Sequence, residues 1–284
     1  MLKILVTGAT GNVGREVLNL LLNQNCHVRA AVRNPDAARR MLGSHIDCVP
    51  FDFTHPATFT TAFQGVDKLF LVRPPDLANV RQQIVPAIDA AKLACVEQVV
   101  FLSILGAERN PIVPHSKIER YINQLGIPAT FLRASFFMQN LNTVHQEDIK
   151  TRGELFVPAG NGKTSFIDVR DIAAVAVRTL MEEGHSHKAY TLTGGEALSY
   201  DKVADIFTVV LGKPIGYTHP SVLNFIRQMR HRELPMDFVL VMTRIYTTAR
   251  LGLASHITQS VAQLLSRPPI TMRQYVEDYR QFWL

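Results

Sequence analysis

The chain has few cysteines and no long hydrophobic run. No stretch approaches the roughly 18 consecutive apolar residues of a membrane helix. No apolar leader precedes the first strand-like segment, so we expect a cytoplasmic protein without membrane contact. Cys26, Cys48 and Cys95 are scattered without metal-ligand spacing, so we expect small buried apolar side chains and no metal. A G-x-S-x-G elbow is also absent, which removes the signature of a large class of hydrolases.

The composition is that of a globular protein. With 284 residues and 47% hydrophobic content, the chain can bury a large core in one domain or in two closely joined ones. Lys and Arg exceed Asp and Glu by 30 to 24, a balance that favours an anionic ligand without deciding the function. The densest basic cluster, 227–232, lacks interleaved aromatic residues, so we interpret it as a solvated helix face and expect no nucleic-acid partner.

The most informative segment is 4–14, with the sequence ILVTGATGNVG. An apolar strand runs into glycines spaced G-x-x-G-x-x-G, and a helical pattern follows from Arg15 to Leu22. This context predicts a dinucleotide-binding turn that faces a pyrophosphate with a helix N-terminus. The cofactor-binding residues predicted here are Gly8, Thr10, Gly11, Asn12, Val13 and Gly14. The alternative is a glycine turn with a structural role only.

Short apolar segments then alternate with helical ones. Strands are predicted over 27–32, 46–49, 68–72, 98–102 and 129–132, with helices that include 76–94 and 118–125. This alternation predicts an α/β fold of the Rossmann type, with a doubly wound parallel sheet.

Beyond residue 150 the alternation becomes irregular. Strand-like segments at 164–169 and 189–193 are expected to join the sheet, and helices are predicted over 199–211, 220–232, 237–251 and 271–282. We therefore expect a dinucleotide-binding domain over 1–150 and a smaller, mainly helical substrate-binding lobe over 151–284.

The end of the second predicted strand bears on which dinucleotide is bound. NAD-binding folds usually place an acidic residue there for the ribose hydroxyl, whereas this chain has Arg33 followed by an asparagine. A guanidinium matches a 2′-phosphate, so we expect NADP(H); the alternative is an arginine that faces water. By position alone, Asp52 and Phe53 would lie near the adenine. Val72, Arg73 and Pro74 would lie near the pyrophosphate and ribose.

With these segments in place, the chain resembles the NmrA-like branch of the atypical short-chain dehydrogenase/reductases. That branch includes quinone and triphenylmethane dye reductases as well as NADP(H)-sensing regulators. The resemblance spans nearly the whole chain, and its most specific motifs are VTGATGNVG at 6–14 and VRNP at 32–35. Further matching segments are LRASFFMQN at 132–140, FIDVRDIA at 166–173, YTLTG at 190–194 and RPP at 267–269.

The resemblance implies an NADP(H)-binding Rossmann domain and direct hydride transfer to a substrate. It implies that Ala134, Ser135 and Phe136 lie near the nicotinamide, and we expect Ser103 to contact its ribose. Phe136 and Phe137 could stack against a flat quinone or dye, or they could be core residues. Asn140 could contact the substrate or the backbone of a neighbouring loop.

The catalytic pair of the superfamily is missing. Standard members use a Tyr-x-x-x-Lys pair, but matching the helix through Glu119 puts His115 at the lysine position and Pro111 at the tyrosine position. His115 is therefore our candidate for proton transfer, since an ordinary imidazole titrates near neutral pH. The alternatives for His115 are a contact to the cofactor ribose and a surface histidine.

Two functions follow from these observations. The first is an NADP(H)-dependent oxidoreductase that passes hydride to a flat small molecule such as a quinone. The second is a silent NADP(H) sensor that acts through protein partners, with an interface in 227–242. A sugar-nucleotide epimerase or dehydratase is disfavoured by the missing tyrosine. A homodimer or a regulatory protein partner stays open.

Overall fold

The computed structural model describes all residues from 1 to 284. The strands are β1 Lys3–Thr7, β2 His27–Val32, β3 Asp47–Pro50, β4 Lys68–Leu71, β5 Gln98–Ile104, β6 Ala129–Ala134, β7 Glu154–Leu155, β8 Lys163–Thr164, β9 Lys188–Leu192, β10 Leu198–Ser199 and β11 Gly216–Tyr217. The α-helices are α1 Asn12–Leu21, α2 Pro35–Leu42, α3 Phe59–Phe63, α4 Val80–Gln83, α5 Val85–Leu93, α6 Pro114–Gln124, α7 Val169–Met181, α8 Tyr200–Leu211, α9 Val222–His231, α10 Met236–Arg250, α11 Ser260–Leu265 and α12 Met272–Asp278. Short 3₁₀ or π turns occur at Pro56–Thr58, Ala107–Arg109, Met138–Asn140, Asp148–Arg152 and Arg280–Phe282.

Seven strands form one parallel sheet in the order β3-β2-β1-β4-β5-β6-β9. The strand order changes direction between β1 and β4, and open parallel sheets bind their ligands at the carboxyl ends of the strands beside such a switch. The apolar side chains of Ile4–Val6 on β1 and Val99–Phe101 on β5 are fully buried, as expected for strands covered on both faces. The predicted α/β fold of the Rossmann type is confirmed.

The chain divides into two compact units. The first contains Met1–Ala134 and Val169–Leu192, and the second contains Ser135–Asp168 and Thr193–Leu284. The first unit therefore ends at Ala134, not at residue 150, and the chain returns to it through α7 and β9.

The strand expected over 189–193 is β9, at the edge of the large sheet. The strand expected over 164–169 does not join that sheet. Within the second unit, β8 pairs with β10, the amide of Ser165 donates to the carbonyl of Ala254, and the amide of Ile167 donates to that of Phe136. These donors are therefore used inside the second unit and are not available to the large sheet.

The helices of the second unit surround a core rich in aromatic residues. Tyr200, Phe207, Phe225, Tyr275 and Trp283 are all almost completely buried. Helices α8, α9 and α10 agree closely with the predicted ones. In contrast, the helix expected over 271–282 ends at Asp278 and continues as a 3₁₀ turn.

The helix expected over 76–94 is two helices, α4 and α5, which meet at Ile84. Pro86 lies in the first turn of α5, where its missing N–H is tolerated, whereas it would interrupt one continuous helix.

The cysteines differ in their surroundings. Cys48 is buried as expected, but Cys26 is partly exposed and Cys95 is exposed in the turn after α5. The expectation of three buried apolar cysteines is therefore correct only for Cys48. No helix combines the length and the apolar character needed to cross a membrane.

Candidate functional site

The turn between β1 and α1 is closed by its glycines. Gly8 has a φ of +63°, which side-chain-bearing residues rarely adopt, and the amide of Gly11 donates to its carbonyl at 2.9 Å. A Cβ on Gly14 would lie 2.1 Å from the carbonyl oxygen of Gly8. Any side chain at position 14 would therefore force the turn and the helix apart.

Helix α1 begins at Asn12 with an open N-terminus. Gly11 is its N-cap residue, no side chain caps it, and its first turn contains no acidic residue. Thr10, Gly11 and Asn12 are exposed. The first amides of a helix have no partner within it and carry the positive end of its dipole. This end can therefore accept an anion, and the turn fits the pyrophosphate of a dinucleotide.

Thr7 connects the glycine turn to the end of β4. The amide of Val72 donates to the Thr7 hydroxyl oxygen at 2.7 Å, and that hydroxyl donates to the carbonyl of Phe70 at 3.2 Å. A Cβ on Gly8 would approach the Val72 Cβ to 3.0 Å. The structure therefore packs Val72 against the turn, and its expected contact with the cofactor stays a prediction.

Arg33 follows β2 and is exposed, with no ion pair or hydrogen bond to another residue. The side-chain oxygen of Asn34 caps α2 by accepting from the amide of Ala37 at 3.0 Å. The guanidinium of Arg33 is thus free for a ligand, whereas the oxygen of Asn34 is already used.

Asp52 and Phe53 follow β3 and face different surroundings. The carboxylate of Asp52 accepts from the amide and hydroxyl of Thr54 at 2.8 and 2.7 Å. Burial raises the pKa of Asp52, but these bonds and the nearby His55 outweigh it and lower the pKa overall. The Phe53 ring is buried and packs edge-on against Phe51 with centroids 4.8 Å apart. That ring is a core group, so only the backbone of Phe53 stays a candidate for the expected adenine contact.

Arg73 is used largely by its own loop. Its Nη1 donates to the carbonyls of Pro74, Pro75 and Leu77 at 2.7, 3.2 and 2.9 Å. These bonds hold the guanidinium in place and fix the loop after β4. Its Nε is buried and has no hydrogen-bond partner.

His115 lies in the first turn of α6, with its ring stacked on Phe101 at a centroid distance of 5.9 Å. Its Nδ1 is buried and has no hydrogen-bond partner. Burial, and then the charge of Arg73, lower the pKa of His115 to about 3. The imidazole is therefore neutral at physiological pH and does not hold the proton that a general acid would deliver.

Ser103 belongs to a buried network that sequence reasoning missed. Its side chain is inaccessible, and its hydroxyl donates to the Glu119 carboxylate at 2.5 Å, not toward a ligand. Glu119 also accepts two hydrogen bonds from Arg133. The only sequence signal for this network is an acid next to Ile118, on the side of the helix that carries Ile118 and Ile122.

The segment after β6 contains the residues expected near the nicotinamide. Ala134, the last residue of β6, is buried in the first unit. In the second unit, the Ser135 hydroxyl donates to the carbonyl of Ser165. The Phe136 ring packs edge-on against Phe166 and tilted against Tyr246, with centroids 5.5 and 5.9 Å away. Phe136 is thus part of an aromatic cluster and is itself only partly buried.

Phe137 and Asn140 are also partly exposed. Phe137 forms a single bridge with Ile167, and its carbonyl accepts from the amide of Asn140 at 3.2 Å. The side chain of Asn140 makes no hydrogen bond to another residue, whereas the neighbouring Gln139 donates to Asp168 at 2.9 Å. Of the two amides, the one at position 140 is available to a ligand.

The parallel sheet, the switch in strand order beside β1 and the open glycine turn define a Rossmann-type dinucleotide-binding protein. The chain belongs to the NmrA-like family, whose sequence model matches residues 2–275.

Several similar proteins are reductases. An NAD(P)H azoreductase from Xenophilus azovorans is 32% identical over 97% of both chains. Among solved structures, the NADPH-dependent quinone oxidoreductase of Escherichia coli in complex with NADPH has a TM-score of 0.88 at 28% identity, over 98% of this chain and 99% of that one. The triphenylmethane reductase of a Citrobacter species with NADP(H) has a TM-score of 0.86 at 26% identity, over 96% and 98%. The protein is an NAD(P)H-dependent oxidoreductase.

Proposed function

We propose that the protein transfers hydride from NADPH to a flat, electron-poor small molecule such as a quinone. The observation that carries this proposal is an exposed helix N-terminus at α1 that can bind an anion, together with Arg33 after β2, which has no partner within the chain. Its similarity to a quinone oxidoreductase and a triphenylmethane reductase supports this type of acceptor. These relatives do not favour the sensor hypothesis.

The preference for NADPH over NADH rests on Arg33. An acidic residue at this place would accept from the ribose hydroxyls of NADH and repel a 2′-phosphate. Arg33 instead presents a planar set of donors that matches phosphate oxygens, and no acid of the chain competes for it.

The proposed cofactor site uses backbone groups more than side chains. Bound NADPH supplies the hydride. The turn at Gly8–Gly14 and the first amides of α1 hold the pyrophosphate, and Arg33 holds the 2′-phosphate. The remaining proposed contacts are Asp52, the backbone of Phe53, Val72, Arg73, Pro74, Ala134, Ser135 and Phe136. Ser103 is not among them, because its hydroxyl is bonded to Glu119.

The proposed reaction needs no acid from the protein. A quinone that has accepted hydride carries its negative charge on oxygen and can take protons from water. This suits a site whose histidine is neutral and whose superfamily tyrosine is replaced by proline. We propose that His115 orients a bound group through its ring nitrogens and does not transfer a proton.

For the acceptor we propose contacts with Phe136, Phe137 and Asn140. Phe136 offers a partly exposed ring held by Phe166 and Tyr246, which is a suitable surface for a flat aromatic molecule. The free amide of Asn140 can donate to a carbonyl oxygen of such a molecule.

Oxidation of NADPH by the purified protein tests this function. We expect absorbance loss with simple quinones, and slower loss with triphenylmethane dyes, azo dyes and enones. NADH in parallel tests the choice of cofactor. Tight NADPH binding without oxidation across the whole panel would contradict the proposal and would instead support a sensor.

A further inference from the structure

The exposed apolar side chains of this protein are concentrated in one segment. Eight of its seventeen exposed large apolar residues lie within 223–253. Leu223 on α9 is 78% exposed, and Phe238, Val241 and Ile245 on α10 are 41 to 48% exposed. Scattered exposed leucines need no explanation, but a concentration of this kind marks an interaction surface.

These residues share one side of their helix. Phe238, Val241 and Ile245 are spaced by three and four residues and so form a stripe along α10. The adjoining side of α10 buries Val239 and Met242 in the core of the second unit. The stripe therefore runs along the border of the packed side of α10, where its three side chains are about half exposed.

Free arginines accompany the apolar stripe. Residues 221–250 contain five arginines and two acids, so about a tenth of the chain carries three of its six net positive charges. Arg232 is committed to an ion pair with Asp148, but Arg227, Arg230 and Arg244 are exposed and form no ion pair. Helix α9 buries Phe225 in the same core as α10, so its arginines also point away from that core.

We propose that the outer faces of α9 and α10, called here the basic apolar surface, dock onto an anionic lipid bilayer. The boundary between water and lipid can bind both the apolar side chains and the arginines of this surface. Apolar side chains enter the boundary of the acyl chains, while arginines pair with anionic headgroups. No spanning helix is needed for such binding.

Other occupants fit the basic apolar surface less well. A symmetric dimer would place the same patch against itself and bring the arginines of both copies into one interface, where five arginines and two acids from 221–250 of each copy leave an excess of positive charge. A nucleic acid would pair with the arginines but would leave the stripe of Phe238 and Ile245 in water. A lipid surface satisfies both groups.

Docking would give the enzyme access to acceptors that dissolve in lipid, such as quinones with an alkyl chain. This consequence rests on the proposed reductase function, whereas the docking itself does not. A quinone reduced by two electrons and two protons stays in the bilayer, so both substrate and product can be exchanged there.

Co-sedimentation of the full-length protein with lipid vesicles tests the docking. The probes are vesicles of phosphatidylcholine alone and vesicles of phosphatidylcholine mixed with phosphatidylglycerol. We expect binding to the mixed vesicles, little binding to the neutral ones, and weaker binding at high salt. Each arginine near an anionic membrane surface raises the partition coefficient about fivefold. The double variant Arg227→Gln with Arg230→Gln should therefore lower the partition coefficient roughly tenfold to thirtyfold.

Matched variants separate the apolar and the charged contributions. Val241→Ser with Ile245→Ser should reduce vesicle binding while leaving NADPH binding intact. Leu93→Ser and Arg280→Gln are the matched controls. They change an exposed apolar residue and an exposed arginine outside the basic apolar surface, and they should leave vesicle binding unchanged.

Several results would overturn the docking. One is the absence of binding to mixed vesicles, and another is binding that both double variants retain. A concentration-dependent dimer that Val241→Ser with Ile245→Ser abolishes, without vesicle binding by the wild type, would show that a second copy covers the surface. Binding to DNA that depends only on the arginines would show that a nucleic acid does. The two proposals fail separately. Quinone reduction without vesicle binding overturns the docking alone, and vesicle binding without reduction overturns the reductase function alone.

Discussion

Arg133 and Glu119 form a two-point ion pair inside the first unit. Nε and Nη2 of Arg133, on β6, donate to the two carboxylate oxygens of Glu119, on α6, at 3.1 and 2.6 Å. The Glu119 side chain is only 6% exposed and also accepts from Ser103, at the end of β5. One buried carboxylate thus ties α6 to the carboxyl ends of two strands, at the edge where the cofactor is proposed to bind.

We expect Glu119→Gln to destabilise the protein by about 2 kcal/mol, because the largely buried Arg133 loses its two-point counter-charge and keeps only the longer contact with Glu108, at 3.5 Å. Urea unfolding measures this loss. The control is Glu182→Gln, which removes the exposed partner of Arg178 and should cost less than about 0.5 kcal/mol. Equal losses for the two variants would mean that the buried pair contributes no more than a surface pair.

Gly14→Ala should prevent the turn from closing. The added Cβ would lie 2.1 Å from a backbone oxygen that cannot move without opening the turn. We expect a cost of about 3 kcal/mol and the loss of NADPH binding, measured by thermal unfolding and by fluorescence titration. Gly216→Ala is the control, since nothing lies within 4 Å of its Cβ. An alanine at position 14 that still binds NADPH tightly would remove this turn from the proposed site.

The sequence predicted the first unit well because its signals are local. The residues of β1, the glycine turn and α1 are adjacent in the chain, and the spacing of Gly8, Gly11 and Gly14 has one common structural meaning. The apolar runs of β4 and β5 likewise indicate buried parallel strands without knowledge of their neighbours.

Predictions failed where a side chain has a distant partner. Ser103 ends a strand at the ligand edge, but Glu119, sixteen residues away, determines where its hydroxyl points. The 164–169 segment looks like a strand, but Ala254 takes one of its amides. Phe53 follows a strand as expected, but packing with Phe51 turns its ring into the core. Such outcomes depend on tertiary packing, which periodicity does not report.

Arg33→Ala should distinguish the two nicotinamide cofactors. Loss of a charge-assisted contact to the 2′-phosphate costs about 1.5 to 3 kcal/mol, so the Kd for NADPH should rise roughly tenfold to a hundredfold. The Kd for NADH should change little. Arg40→Ala, at another exposed arginine on α2, is the control. Equal losses for NADPH and NADH would contradict the assignment of Arg33 to the 2′-phosphate.

His115→Gln tests the absence of an acid in the proposed mechanism. Because the pKa of His115 is about 3, its protonation does not change near neutral pH. We expect the pH profile of kcat with a quinone to keep its shape in the variant, while KM for NADPH changes more than kcat does. A limb of the profile between about pH 6 and pH 8 that disappears in the variant would instead assign proton transfer to His115.

The same histidine should make the protein sensitive to acid. Burial, and then the charge of Arg73, hold the folded-state pKa of His115 at about 3, below its ordinary value of 6.5. Between these values the unfolded chain binds the proton and the folded chain does not, so stability present above pH 6.5 is lost as the pH falls. Between about pH 7.5 and pH 5, His115 should account for a loss of about 1 to 2 kcal/mol in the free energy of unfolding.

Urea unfolding at both pH values should show a smaller loss in His115→Gln than in the wild type, whereas His231→Gln, at an exposed imidazole, should match the wild type. If His115→Gln loses as much stability as the wild type, the imidazole is not held neutral by its surroundings.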